Sequence, residues 1–394
     1  MAGRILILRW AGSAYDSLGG LLELIAQELV AQGFRVVLFS ADGKAWPSQL
    51  MELLATGDIG FALTMSGIGT DLAVNGTSVW EAAKIPLFNW SCDHACYFPS
   101  RHVIRNRFLL HGYVFPDHAR YHITHLKPNG VAFAVHLGIP PRDLFVDAPL
   151  PLQSRNGRIM FTKTGRDTNQ IEAAWRNYGP DLQAIAFAAA EELFHRSTAD
   201  FVPVLRRIGE PLGVFLDGDS QLAMRLIQEI DAYIRFRRAN LVMQTILDYD
   251  VDVFGSGWDH IRWDGARARF HGASTWRAMI EQLPHYLGCL STNPLIEESV
   301  HDRVFFALAA GVVPVSDSNA FSRSHMPELE RYAFGFTRAG IQQAVEALFA
   351  EPAEAVARAE DGWRELAVPF GMRRSARQIA QFANLHGLNA RYGG

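Results

Sequence analysis

The chain has 394 residues, which is more than one hydrophobic core usually holds, so two domains are expected. Apolar residues make up 49% and charged residues 20% of the sequence, a balance that excludes a disordered or collagen-like chain. The formal net charge is −4, from 37 Lys and Arg against 41 Asp and Glu. We therefore expect neither a general nucleic-acid binder nor a protein that coats anionic membranes.

The sequence opens with an alternation of strand and helix. The apolar run RILILRW is followed by the Gly-rich segment AGSAYDSLGG, by Leu21, Leu22, Ile25 and Leu29 at helical spacing, and by the run RVVLFSA. Strand, helix and strand in such close succession predict a parallel sheet with a right-handed crossover. Further strands of this half are predicted for the short apolar runs IGFALTMS, IPLFNWS, HGYVFP and VAFAVHLG.

A second alternation begins after residues 147–157, DAPLPLQSRNG, which combine prolines and polar residues without periodicity and predict a linker. A helical region is predicted for 168–249, and strands are predicted for RIMFTKTG, VDVFGSGW, ARFHG, YLGCLST and VVPVSD. The fold class is therefore α/β, with two doubly wound, Rossmann-like domains that face each other across a cleft. We predict domains at 1–150 and 151–370, and a C-terminal helix at 371–394 that packs back on the first domain.

The segment 291–321, STNPLIEESVHDRVFFALAAGVVPVSDSNAF, carries the strongest chemical pattern. Ser299 is predicted to cap a helix whose first turn holds His301, Asp302 and Arg303. The free N–H groups at such a helix start attract phosphate, and a nearby arginine adds a charge-assisted contact. The alternative is that the acidic residues only complement the helix dipole and that Arg303 forms a surface ion pair.

Three segments together resemble the GT-B glycosyltransferases, in particular a spore-coat-type, DUF3880-like group. HDRVFFALAAGVVPVSD, at 301–317, resembles the nucleotide-sugar motif of that group, and VDVFGSGW, at 251–258, resembles its strand with a Gly-x-Gly-Trp turn. IPLFNWSCDHACYFPSRHVI, followed by FPDHARYHI at 115–123, resembles a stretch of the first domain of some relatives. The resemblance spans both halves of the chain.

The resemblance implies that the second domain holds a nucleotide-diphosphate sugar and that the first binds an acceptor, whether glycan, protein or small molecule. Residues 297–300 and Arg303 would bind the diphosphate, and His301 would contact a phosphate or the sugar. The donor residues implied by this motif are Glu298, Ser299, His301, Asp302 and Arg303. Many retaining members carry a second glutamate eight positions after the first, and Phe306 stands there in this chain.

Lys163, at the end of the first strand of the second domain, lies where related enzymes place a cation beside the leaving diphosphate. A cation there stabilises negative charge without a metal, and the alternative is a solvated loop lysine. Gly255 and Gly257 would let the backbone approach the nucleotide. The Trp258 side chain would either cover the nucleobase of the donor or fill the hydrophobic core.

The first domain should supply a general base for the acceptor if the reaction inverts the sugar. Asp16, in the Gly-rich loop after the first strand, is one candidate, although it would equally cap the following helix. Asp93 and His94 are the second candidates. His94 would otherwise be an ordinary loop histidine.

Other patterns favour ordinary structural explanations. Cys92, His94 and Cys96 lack a second ligand pair at zinc-site spacing, so we expect small buried thiols and no metal site. Three cysteines are too few for a disulfide framework and, with no visible signal peptide or membrane span, predict a cytoplasmic protein. The run RFRR at 235–238 predicts an exposed helix face.

The sequence thus predicts a metal-independent glycosyltransferase with no cofactor beyond its nucleotide-sugar donor. Two alternatives remain at this point. One is a nucleotide-sugar epimerase, which uses the same architecture with acids and bases around a single bound donor. The other is a non-enzymatic nucleotide-sugar-binding protein of a surface-glycan system, which the missing second glutamate favours.

Overall fold

The computed structural model describes residues 3–10, 12, 14–126, 131–145, 149–197 and 200–392. The chain divides into two units, one formed by Met1–Gly138 with Phe370–Gly394 and the other by Ile139–Pro369. The predicted linker falls within the second unit, and its residues 147 and 148 lie outside the described residues. Residues 11 and 13 of the Gly-rich segment also lie outside them.

The first unit is built on a parallel sheet in the order β2-β1-β3-β6-β7-β8. Its strands, including a separate two-stranded hairpin, are β1 (Arg4–Arg9), β2 (Val36–Ser40), β3 (Ile59–Met65), β4 (Ala73–Val74), β5 (Thr77–Ser78), β6 (Leu87–Ser91), β7 (Leu109–Tyr113) and β8 (Val131–Ala134). Its first helices are α1 (Ser17–Ala31), α2 (Trp46–Ala55), α3 (Val79–Ala83), α4 (Pro99–His102) and α5 (Pro116–Tyr121), the last continuing into the π-helical turn His122–Leu126. After β1 the chain adds β2 on one side of it and then β3 and the later strands on the other side, so the direction of winding reverses between β1 and β3.

The apolar runs of the sequence explain this sheet. Ile5, Leu6, Ile7 and Leu8 of β1 are all buried, as expected for a parallel strand that is covered on both faces. The hairpin β4-β5 was not predicted, because strands of two residues are too short to show alternation. Its turn is formed by Asn75-Gly76, and Asn75 and Gly76 both have the positive φ angles, 51° and 78°, that a tight hairpin turn requires.

The second unit repeats this architecture in the order β11-β10-β9-β12-β13-β14, again parallel throughout. Its strands are β9 (Ile159–Thr162), β10 (Val251–Phe254), β11 (Arg269–Gly272), β12 (Gly288–Leu290), β13 (Val313–Asp317) and β14 (Ala333–Phe334). Its helices are α6 (Asn169–Trp175), α7 (Pro180–Phe194), α8 (Phe201–Gly209), α9 (Gln221–Ile246), α10 (Trp276–Gln282), α11 (Asp302–Ala309), α12 (Ala320–His325), α13 (Arg338–Ala350) and α14 (Pro352–Leu366). The prediction of two doubly wound α/β units is confirmed.

The last helix, α15 (Met372–Tyr392), belongs to the first unit. The Gln32 side chain donates a hydrogen bond to the Arg373 carbonyl at 3.0 Å, which ties the end of α1 to the start of α15. Gly387 lies so close to Pro86 that a Cβ there would be 2.6 Å from the proline Cγ. Among the described residues, no helix has both the length and the hydropathy to cross a membrane.

Candidate functional site

The point where the second sheet reverses its winding lies between β9 and β12. Ligands of doubly wound sheets bind at the carboxyl ends of the strands at such a point. Lys163 follows β9 directly, and its backbone N–H donates to the Phe254 carbonyl at 2.9 Å. The loop 291–301 follows β12 and leads into α11. The topology therefore brings Lys163 and the start of α11 to the same edge of the sheet.

The loop 291–301 is held on the end of β13 by two residues to which the sequence assigned no role, Asn293 and Asp317. The Asn293 N–H donates to Asp317 Oδ1 at 2.7 Å, and the Asn293 amide oxygen accepts from the His301 N–H at 2.7 Å. Burial raises the pKa of Asp317 to about 6, although Arg238 and the Asn293 N–H oppose the shift. Because both side chains are buried, the start of α11 is fixed in position.

The prediction that Ser299 caps this helix was wrong. His301 is the capping residue: it has an extended backbone, with φ −61° and ψ 147°, and its Nδ1 accepts from the Arg303 N–H at 3.4 Å. Ser299 is fully buried, and its carbonyl accepts a hydrogen bond from the Asn319 side chain at 2.7 Å. The helix therefore begins at Asp302, and Ser299 belongs to the packed loop before it.

Opposite charges meet at the helix start. The Asp302 carboxylate contacts His301 Nδ1 and accepts from the Arg303 N–H at 2.9 Å. Burial disfavours ionisation of Asp302, but His301 and Arg303 beside it lower the pKa of this carboxyl well below its usual range. Asp302 is thus ionised, and its negative charge offsets part of the partial positive charge that the helix dipole places at the start of α11.

Lys163 and Arg303 are two basic side chains brought to the same edge of the second sheet. Burial, together with the charges of Arg303 and Arg235, lowers the pKa of Lys163 well below its usual value. Arg303 Nη1 lies 3.4 Å from His301 Nε2. Across the described part of the chain, neither Lys163 nor Arg303 forms an ion pair with a carboxylate. Two such basic groups at a sheet edge favour binding of an anion.

The glycines of the Gly-x-Gly-Trp turn contact protein backbone. A Cβ on Gly255 would lie 2.1 Å from the Lys163 carbonyl oxygen, and one on Gly257 would lie 2.2 Å from the Gly165 carbonyl oxygen. Of the two alternatives for Trp258, the structure supports the core: the side chain is fully buried, and its Nε1 donates to the Lys163 carbonyl at 2.8 Å. The turn therefore positions the Lys163 loop.

The glutamates before α11 differ in their surroundings. Glu297 accepts from the Ala320 N–H at 2.8 Å and from the Ser197 hydroxyl, so it joins the loop to α12. Glu298 is exposed. Phe306, at the position of the second glutamate, is buried and packs edge-on against Phe145 and Trp276.

A cavity of about 610 Å³ lies beside the loops that follow β9 and β10. It is lined by Asp167, Thr168 and Asn169 from the first loop, by His260 from the second, and by the α9 residues Arg237, Asn240 and Gln244, among others. The His260 ring stacks near Trp258, with centroids 6.0 Å apart. This polar cavity was not predicted, because its lining comes from separate segments of the sequence.

In the first unit, Asp16 and Asp93 follow β1 and β6 at the carboxyl edge of the sheet. Asp16 makes no side-chain cap to α1, and its Oδ2 accepts from Arg9 Nη2 at 2.5 Å. His94 is buried and caps a short 3-10 turn, with Nδ1 accepting from the Cys96 N–H at 3.3 Å. Cys96 is a buried thiol and Cys92 is half-buried, and the two do not form a ligand group with His94 among the described residues.

The prediction that RFRR is an exposed helix face was wrong: Arg235, Phe236 and Arg237 are half-buried and Arg238 is buried. Arg238 is 1% exposed, and its guanidinium donates to the Phe194 carbonyl at 2.6 and 2.9 Å and to the Arg196 carbonyl. These are carbonyls at and just beyond the end of α7, where a cation is favoured.

We expect Arg238→Met to lower the free energy of unfolding by roughly 2 to 3 kcal/mol, because buried carbonyls lose charged donors. Arg237→Met is the matched control. Its guanidinium pairs with the exposed Glu191 at 2.6 Å, and such a pair contributes about 1 kcal/mol at most. Urea denaturation of both variants measures the difference, and equal losses would contradict the capping role of Arg238.

Comparison with known proteins identifies the fold. No protein-family model matches the sequence, and no curated protein matches it. Among solved structures, sucrose-phosphate synthase from Thermosynechococcus elongatus is 11% identical, with a TM-score of 0.53 over 97% of this chain and 98% of that one. An alpha-glucosyltransferase in complex with UDP and a 13-mer DNA is 11% identical, with a TM-score of 0.56 over 96% and 100%.

Anabaena HepE in complex with UDP-glucose is 10% identical, with a TM-score of 0.51 over 96% of this chain and 98% of that one. At sequence identities this low, the similarity to these structures shows a shared fold. The chain therefore has the fold of the GT-B glycosyltransferases, with two Rossmann-like units.

Proposed function

We propose that this protein is a glycosyltransferase that moves a sugar from a nucleotide-diphosphate donor to an acceptor hydroxyl. The observation that carries the proposal is that the basic side chains Lys163 and Arg303, which form no salt bridge within the described ranges, lie at the reversal point of the second sheet. The diphosphate of a donor would interact favourably with both. The GT-B fold supports the proposal, since the glycosyltransferases compared above share it.

In the proposed reaction, the acceptor oxygen bonds to the anomeric carbon of the sugar. The bond from that carbon to the phosphate oxygen breaks, and its electron pair leaves with the nucleoside diphosphate. Lys163, Arg303 and the N–H groups at the start of α11 stabilise this charge, so that transfer needs no metal. Glu298 and His301 lie beside these groups in the sequence, and we assign them to the donor.

The acceptor proton needs a base, and we place it in the first unit. Asp16 is one candidate, and it forms an ion pair with Arg9. Asp93 and His94 remain the second candidates. The net charge of −4 favours a glycan, protein or small molecule as acceptor over a nucleic acid.

The closer resemblance to the spore-coat-type group rests on the three sequence segments alone. We include membership of that group, and action in the cytoplasm, in the proposal. Uridine nucleotides are the first donors to test, because the alpha-glucosyltransferase and HepE structures contain UDP and UDP-glucose.

A panel of nucleotide-diphosphate sugars, screened by thermal shift and then by transfer assays, tests the proposal. We expect one donor class to raise the Tm, and to release nucleoside diphosphate when the right acceptor is added. An altered sugar on the intact donor would show an epimerase. Stabilisation without transfer or hydrolysis across a broad acceptor panel would show a binding protein, and no stabilisation by any donor would refute all three.

Proton uptake should accompany donor binding. The pKa of Lys163 is lowered in the free protein, and a bound diphosphate favours the protonated amine, so the pKa rises in the complex. Between these two pKa values, UDP binding therefore takes up a proton, and affinity falls as the pH rises. Calorimetry with UDP in buffers of different ionisation enthalpy measures the uptake.

Lys163→Met is the control for this proton uptake. In that variant the binding enthalpy should lose the part of its buffer dependence that comes from Lys163. A wild-type binding enthalpy that is the same in every buffer would contradict the assignment.

A further inference from the structure

Six of the 14 histidines lie between residues 94 and 125, and three of them converge in the core of the first unit. His102 is the last residue of α4, His111 lies in β7, and His122 begins the π-helical turn. Their exposed fractions are 2%, 2% and 0%. One ring nitrogen from each residue lies within 4.8 Å of the other two.

The cluster is organised around the hydroxyl of Tyr113, which is also fully buried. This oxygen lies 2.7 Å from His102 Nδ1 and 2.6 Å from His122 Nδ1. Asn89 Nδ2 lies 3.5 Å from His111 Nδ1, at the limit of a hydrogen bond. Within the described ranges, His122 Nε2 has no hydrogen-bond partner although it is buried.

Such an arrangement is costly for a protein core. A buried polar nitrogen without a hydrogen-bond partner destabilises the fold, and the neighbouring imidazoles do not supply that partner to His122 Nε2. No chemistry proposed above for the second unit uses them. A ligand that accepts electron pairs from all three rings would remove the cost.

We propose that His102, His111 and His122 bind one Zn²⁺ ion. Imidazole nitrogens are favoured zinc ligands, and three of them leave a fourth position for water or another group. Tyr113 then serves as a positioning residue. By accepting an Nδ1–H from His102 and from His122, its hydroxyl leaves the Nε2 electron pairs of both rings for the metal.

Binding of the ion requires a small movement of the three rings. A tetrahedral zinc with bonds of about 2.0 to 2.1 Å holds its nitrogens roughly 3.4 Å apart. The rings must therefore close in by roughly an ångström when the ion binds.

The ion would join β7 to the segments on both sides of it. Since the three rings are almost completely buried, we expect the ion to enter while the chain folds. Refolding of the full chain is therefore the appropriate experiment.

The test is to unfold the full chain with a chelator, refold it with Co²⁺ or Zn²⁺, and desalt it. We expect one retained ion per chain, a higher Tm than that of the metal-free protein, and tetrahedral Co²⁺ absorption without a thiolate charge-transfer band. Failure of the wild-type chain to retain stoichiometric metal would overturn the proposal, whether or not any variant folds. A thiolate band would overturn it as well, because it would place the ion on a cysteine.

Variants locate the ion. His122→Gln should lose the stoichiometric ion, whereas His125→Gln, in the same π-helical turn but outside the cluster, should retain it. Circular dichroism checks that each variant has folded. A folded His122→Gln protein that retains one equivalent of metal would also overturn the proposal.

Discussion

Replacing Arg303 or Lys163 by alanine is expected to lower kcat for sugar transfer about a hundredfold, the effect of removing one group that stabilises transition-state charge. The two residues lie at the reversal point of the second sheet, and the described residues supply neither with an ion pair. Each side chain is therefore available to bind the diphosphate of the donor. Initial rates with the donor identified by thermal shift measure kcat and KM for both variants.

Arg277→Ala provides the matched control for Arg303→Ala. Arg277 is the second residue of α10 and Arg303 is the second residue of α11. Unlike Arg303, Arg277 is exposed and is not part of the proposed diphosphate site. Its loss should leave transfer unchanged. An Arg303→Ala protein that is folded and transfers sugar at the wild-type rate would remove Arg303 from the proposed site.

Gly257→Ala is expected to destabilise the protein by roughly 1 to 3 kcal/mol more than Gly265→Ala, the usual cost of overpacking. Gly257 has a φ of 77° and Gly265 has a φ of 78°, so alanine suffers nearly the same backbone strain at both positions. Only at Gly257 would the new Cβ collide with protein, 2.2 Å from the Gly165 carbonyl oxygen. The difference between the urea unfolding midpoints of the two variants measures the cost of this collision.

The Gly257 variant should also bind its donor more weakly. Gly165 is two residues from Lys163, and its N–H donates to the Ser256 carbonyl at 2.8 Å, so a shift of one loop displaces the other. Equal urea midpoints for Gly257→Ala and Gly265→Ala would show that the loop yields without cost.

The architecture was predictable because parallel strands buried on both faces have nearly continuous apolar sequences. Runs such as RILILRW and VVPVSD mark β1 and β13 directly. The strands β4, β5 and β14 were missed because each has only two residues. Local patterns of hydrophobicity carry no information at that length.

The site was predictable only in part. Lys163 and Arg303 could be found from their positions after a strand and at a helix start. The cap was misassigned because serine is a commoner cap than histidine, whereas the extended backbone at His301 is fixed by Asn293, eight residues away. Asn293 depends in turn on Asp317, and hydrogen bonds between separate segments leave no periodic signal in the sequence.

The sequence also showed no sign that some charged and titratable side chains would be buried. The run RFRR resembles a solvated surface, and only the end of α7 beside it explains why Arg238 is buried. The cluster of His102, His111 and His122 is spread over α4, β7 and the π-helical turn. Its members meet because of the sheet topology, and no ligand spacing along the chain predicted them.

The return of α15 to the first unit has a consequence for how the protein is made. During synthesis, the ribosome releases β1 to β8 long before α15, and the Ile139–Pro369 unit emerges in between. Surfaces that α15 later covers, such as Pro86 beneath Gly387, therefore stay open while most of the chain is translated. The nascent first unit should accordingly be the part that chaperones protect.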